Sequence, residues 1–218
     1  MEKIPLHLRL KKESHRKIAY AQDLIVKEIY KKIDTAILHG GTAIWRCYNG
    51  KRFSEDLDFY LPKNKIKIDE IFENLKKIGF NILKKKISEK SVYSHLEFER
   101  VSVRFEATFQ KPEMIIADYE TIDGTIISIY SLTPEAFIKE KAQTYIKRHK
   151  VRDLWDIFFL LKFVRNFSLI KKELENLIKN YEKPEDEEDL KIIILEGIVP
   201  SSKEIFGYIR TKWEKGSI

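Results

Sequence analysis

A chain of 218 residues with 43% hydrophobic and 34% charged residues has the balance of a globular protein, with length enough for one large domain or two small ones. No apolar run approaches the roughly 20 residues of a membrane helix. The opening MEKIPLHLRLKKESHRK lacks a signal-peptide core, and the single Cys47 excludes an internal disulfide, so a cytoplasmic location is expected. The formal charge of +7 favours contact with polyanions, nucleotide or nucleic acid, although Lys-, Ile- and Glu-rich chains also carry such charge as solvated surface networks.

In chain order, Ile18, Ala21, Ile25 and Ile29 recur at helical spacing and predict an amphipathic helix over residues 14–33. Thr35-Ala36-Ile37-Leu38 reads as a buried strand running into a tight turn at Gly40-Gly41. A helix is expected from there to about Tyr48, stopped by Asn49-Gly50, with Cys47 buried beside Trp45 and Tyr48. Residues 56–61 alternate polar and apolar until Pro62, which predicts a strand with Asp56 and Asp58 on one face. A helix over 68–79 follows, then strands over 80–87, 92–98 and 101–109.

A further short strand is expected over 125–130, and Thr133-Pro134 opens a helix. The remainder reads as helices over about 134–148, 151–165 and 168–181. Two weaker stretches follow an acidic patch, 182–189, which reads as a solvated loop. The pattern divides the chain into residues 1–131, with all the strands, and a helical lobe, residues 132–218. Tyr145, Trp155 and Phe158 have the spacing of core.

The chemistry concentrates in Gly40-Gly41-Thr42, thirteen intervening residues, and Asp56-Leu57-Asp58. A glycine pair between strand and helix lets backbone N–H groups approach an anion, and Thr42 adds a hydroxyl donor. Two aspartates on one strand face repel each other unless a cation neutralises them, and magnesium, with its preference for hard oxygen ligands, is the natural candidate. A two-ion site would serve both the attacking hydroxyl and the leaving pyrophosphate. Glu106, outward on a neighbouring strand, is best placed to complete the cluster, with Glu97 and Glu99 as fallbacks. A solvent-facing strand edge is the alternative for the Asp pair.

Gly40-Gly41-Thr42 followed by Arg52-Phe53-Ser54-Glu55-Asp56-Leu57-Asp58-Phe59 resembles the AbiEii/AbiGii-type toxin nucleotidyltransferases of the DNA polymerase beta-like superfamily. Glu140-Lys141-Ala142, Arg148 and Arg152-Asp153-Leu154-Trp155-Asp156 resemble further elements of that family, so the likeness spans about residues 36–162. The resemblance implies an α+β fold, a polymerase beta-like mixed sheet flanked by helices with a carboxy-terminal helical lobe. It also implies magnesium at Asp56 and Asp58, and a nucleoside triphosphate at the glycines and Lys141. The reaction would move a nucleoside monophosphate to an RNA, notably a tRNA 3′ end, or to a protein hydroxyl.

In that context Arg52 would counter triphosphate charge, Ser54 would close the loop or touch a phosphate, and Arg148 could share a helix face with Lys141. Asp156 could orient Lys141 or Arg152, and Asp153 could complement a helix start. His39 is expected as packing or as support behind the site, since one histidine without partners is a poor ligand or base. A cognate antitoxin is the partner that the resemblance implies. A catalytically silent nucleotide- or RNA-binding module and a plain structural partner are the rival readings.

Overall fold

In the computed structural model, which describes residues 4–216, the chain divides between Leu132 and Thr133 into two units. The first contains α1 (Leu6–Arg9), α2 (Glu13–Lys32), β1 (Ile37–His39), α3 (Gly40–Cys47), β2 (Leu57–Tyr60) and α4 (Lys65–Lys77). It continues through β3 (Asn81–Ile87), β4 (Ser91–Phe98), β5 (Val101–Thr108), β6 (Ile115–Glu120) and β7 (Ile126–Ser131). The seven strands form one mixed sheet in the order β3-β4-β5-β2-β1-β7-β6, with β5–β2 and β1–β7 parallel and the other pairs antiparallel.

Alternation decides which side of the sheet is covered. Leu57, Phe59, Val103, Phe105, Ala107, Val92 and Leu96 are buried together, and Phe105 meets Phe72 of α4 and Phe59 at ring-centroid distances of 6.0 Å. The stripe Ile18, Ala21, Ile25 and Ile29 seals α2 onto the same core. Each fully buried aliphatic side chain of this kind contributes about 1.5–3 kcal/mol. The intervening residues of β2, β4 and β5 turn to the other face, which holds Asp58, Tyr60, Tyr93, His95, Arg104 and Glu106.

The second unit is helical: α5 (Pro134–Arg148), α6 (Val151–Leu160), a 3-10 turn (Phe167–Leu169), α7 (Lys171–Lys179), α8 (Asp189–Ile193) and α9 (Ser202–Lys215). Tyr145 and Trp155 are buried as expected, whereas Phe158 is half-buried against Tyr208. Among the described residues no helix is long and apolar enough to cross a membrane.

Several expectations need correction. The helix expected over 151–165 stops at Leu160, because the N–H groups of Arg165 and Asn166 turn back onto the Glu135 carboxylate. The helix expected over 168–181 is the short 3-10 turn followed by α7, the turn being capped by Asn166. The acidic patch 182–189 is more than a solvated loop: Asp186 accepts the Val151 N–H at the start of α6, and Glu187 accepts the Ser202 N–H at the start of α9. Cys47 is only half-buried, yet burial of its thiol still pushes the pKa up to about 12. β6, with its exposed Ile115 and Ile116, lacks the alternation that marks β2, β4 and β5 and was not foreseen.

Candidate active site

The glycine pair and the aspartate pair meet at the start of α3. β1 runs directly into α3 at Gly40, whose φ of +72° is open to glycine at no steric cost. β1 lies antiparallel to β2 with His39 opposite Asp58. A Cβ on Gly40 would lie 2.1 Å from Oδ2 of Asp58, so the carboxylate lies against bare backbone. A Cβ on Gly41 would lie 2.5 Å from Nη2 of Arg52 and 2.6 Å from Oγ of Ser54. Arg52 and Ser54, both buried, thus sit over the first turn of α3, where backbone N–H groups have no helical partner.

Thr42 departs from its expected role. Its side chain is wholly buried and its hydroxyl donates to the carbonyl of Asp56, so it positions the aspartate loop and is not presented to a ligand. Gln22 of α2 does related work: its amide donates to the carbonyls of Ser54 at 2.9 Å and Glu55 at 3.0 Å. Nothing in the motifs pointed to Gln22. The signal was a polar residue within the apolar stripe of α2, a costly placement that the bonds of its Nε2 offset in part, its Oε1 having no partner.

Asp56 lies just before β2 and Asp58 within it. The parallel register of β2 with β5 sets Glu106 directly beside Asp58. All three carboxylates face the same side. Burial and the neighbouring charge of Asp58 raise the pKa of Glu106 from its ordinary value, against the opposing pull of Arg104. Arg104, two residues before Glu106, bridges two of the three: its Nη2 pairs with Oδ2 of Asp56 and its Nε lies 3.1 Å from Oε1 of Glu106. Glu97 pairs in register with Ser102 and lies outside this group, as does Glu99, which occupies the β4–β5 turn with φ +47°. His39 packs as expected, its ring stacked on Tyr60 with centroids 3.9 Å apart.

Among the described residues no three His, Cys, Asp or Glu side chains stand in a ready-made metal cage. The donor chemistry nevertheless fits hard divalent cations. Asp58 and Glu106 are register neighbours, and the guanidinium of Arg104 stands as a cation between Glu106 and Asp56. Arg104 was not singled out from the sequence, since an arginine alternating along a strand looks like any outward residue.

In the second unit, Lys141, Arg148, Asp153 and Asp156 form one ion-pair network. Nζ of Lys141 lies 2.8 Å from Asp156 and 3.3 Å from Asp153. Arg148 binds Asp153 through Nε at 2.7 Å and Nη2 at 2.9 Å. Both aspartates are 0% exposed, so each must be paired to remain charged. Asp153 also lies in the first turn of α6, where a negative charge complements the helix dipole.

Two solved structures share the fold. The crystal structure of JHP933 from Helicobacter pylori is 19% identical over 94% of this chain and 92% of that one, with a TM-score of 0.65. A Helicobacter pylori protein proposed to be a nucleotidyltransferase is 20% identical over 94% of this chain and 97% of that one, with a TM-score of 0.63. No curated relative matches the chain. The profile of the family described as nucleotidyl transferase AbiEii toxin, type IV toxin–antitoxin system, matches residues 29–203. That span takes in the glycine turn, the carboxylates and the Lys141 network alike, and the chain belongs to the AbiEii nucleotidyltransferase toxin family.

Proposed function

We propose that this toxin transfers a nucleoside monophosphate from a nucleoside triphosphate to a hydroxyl of RNA, a tRNA 3′ end being the expected acceptor, with release of pyrophosphate. The observation that carries the reading is the register that sets Glu106 beside Asp58 against the bare backbone of Gly40. The first turn of α3, with Arg52 and Ser54 over Gly41, receives the triphosphate through N–H groups and the guanidinium. Thr42 and Gln22 hold the loop that carries Asp56.

Asp56, Asp58 and Glu106 would hold two magnesium ions, which when bound draw charge from the reacting phosphate and make the attacking hydroxyl more acidic. Glu106, its pKa already raised, accepts the proton of that hydroxyl. The acceptor oxygen forms a bond to the α-phosphorus, and the bond from that phosphorus to the β-phosphate oxygen breaks. Within the second unit, Lys141, held by Asp153 and Asp156 with Arg148 steadying Asp153, is proposed as a phosphate-binding cation in its own right. A cognate antitoxin restrains the activity in the cytoplasm.

The Arg104 bridges favour one second reading, a module that binds nucleotide without turnover because two of its three carboxylates already share a cation. Incubation with each labelled nucleoside triphosphate, magnesium and total RNA or total protein separates the two. The expected result is label on RNA from the native protein and none from a folded Asp58→Asn variant. Full transfer by Asp58→Asn overturns the assignment of Asp58 and its neighbouring carboxylates as the active site. Nucleotide binding without transfer by the native protein favours the silent module.

A further inference from the structure

Two cross-strand rows lead from the sheet edge to the carboxylates. One reads Lys86, Tyr93, Glu106, Asp58, and the other Lys84, His95, Arg104 and, by its ion pair, Asp56. Directly paired residues share a face. Lys84, Lys86, Tyr93 and His95 therefore lie on the side of the sheet that carries the candidate site. Three strand spacings, about 14 Å, separate Lys86 from Asp58.

The lysines of β3 differ by side. Lys85, on the covered side, pairs with Asp69 at 2.6 Å and lies over the Phe72 ring. Lys84 and Lys86 are exposed, and among the described residues neither has an ion pair or hydrogen bond; the one contact is Lys84 over the Tyr93 ring at 5.2 Å. Two unneutralised cations beside a half-exposed aromatic ring are what a single-stranded nucleic acid uses, phosphates against the cations and a base on the ring. An acidic peptide would use the charges and leave the ring idle.

Resting on the reading of RNA as acceptor, we propose that this face is the path by which a single-stranded RNA end reaches the site. Phosphates lie against Lys84 and Lys86, a base stacks on Tyr93, and the terminal hydroxyl arrives at Asp58 and Glu106.

The test compares native protein with Lys84→Glu/Lys86→Glu and with Tyr93→Ala, using a short single-stranded RNA with a free 3′ hydroxyl. Fluorescence anisotropy across a salt series gives the affinity, and transfer assays give KM and kcat. The double variant should weaken RNA binding about tenfold and flatten the salt slope by about 1.4, the share of two phosphate contacts. KM for RNA should rise with kcat and nucleotide affinity kept, and Tyr93→Ala should weaken binding without changing the slope. Lys84→Gln/Lys86→Gln, gentler on the fold, should show the same slope change.

Lysines on an edge strand also block strand addition by other chains. If that is their whole role, charge reversal changes self-association and leaves RNA affinity and slope untouched, which overturns the proposal while transfer to RNA stands. Label appearing on protein instead of RNA overturns the acceptor reading and this path with it.

Discussion

A methyl group at Gly40 would meet Asp58 at 2.1 Å from a backbone already in the left-handed region, whereas one at Gly41 would meet only the tips of Arg52 and Ser54. The two substitutions should therefore part company. Gly40→Ala is expected to lower stability by more than about 1 kcal/mol, a loss of roughly 2–4 °C in Tm, and to displace Asp58. Gly41→Ala is expected to cost less Tm than Gly40→Ala and to lose triphosphate affinity, because its backbone is not left-handed and the end of the Arg52 side chain can shift aside. Thermal melts beside nucleotide titrations decide between these outcomes.

A pH effect is localised at Asp123, in the β6–β7 turn. Hydrogen bonds from the Thr121 hydroxyl and the Thr125 N–H hold its pKa down to about 2. A depressed carboxylate stabilises the fold above its unfolded pKa of about 3.9, and that contribution disappears as pH falls toward 2. Asp123→Asn should melt below the native protein at pH 6, with the gap narrowing at pH 3 and below. A gap independent of pH would mean that the turn does not depend on the charge.

Between elements, Asp23 of α2 holds Arg46 of α3 while accepting the Tyr119 hydroxyl of β6 at 2.7 Å and the Ile122 N–H at 2.6 Å. Burial pushes the Asp23 carboxyl up despite that guanidinium. Asp23→Ala would leave the Arg46 charge buried and unmatched, at a cost of about 3–5 kcal/mol. Asp23→Ala/Arg46→Met should recover part of that loss in urea unfolding. Equal losses in the single and double variants would show that the pair is not what binds these elements.

The same level shows what the residues disclosed beforehand. Elements with a strict period, such as α2, β5 and α5, were legible, and so were the glycine turn and the Asp pair, because local spacing carries them. Gln22 and Arg104 were not, since their roles depend on which strand and loop lie opposite. The helix end at Leu160 was missed for a like reason, since Glu135, which takes the N–H groups beyond it, comes from a distant position. The start of α9 at Ser202, by contrast, carried a local signal, the capping box of Ser201 and Glu204.

Across the whole molecule, the sheet joins near and far parts of the chain. β3-β4-β5 and β6-β7 are local hairpins, whereas Asp56 meets Arg104 across 48 positions and Ser131 bonds to the Leu38 carbonyl across 93. Distant pairings must first overcome loop-closure entropy, so they form late. In pulse-labelled hydrogen exchange, amides of β4 and β5 should gain protection before those of β1. Simultaneous protection would contradict this order.

During synthesis the same topology works as a delay. The glycine turn and both aspartates leave the ribosome early, but Glu106 follows only with β5, and β1 gains its parallel neighbour only with β7. At about 5–20 residues per second, the nascent chain exists for several seconds with its motifs made and their arrangement not yet available. The candidate site of this topology is thus completed late, because more than half of the chain must be made before the arrangement can close.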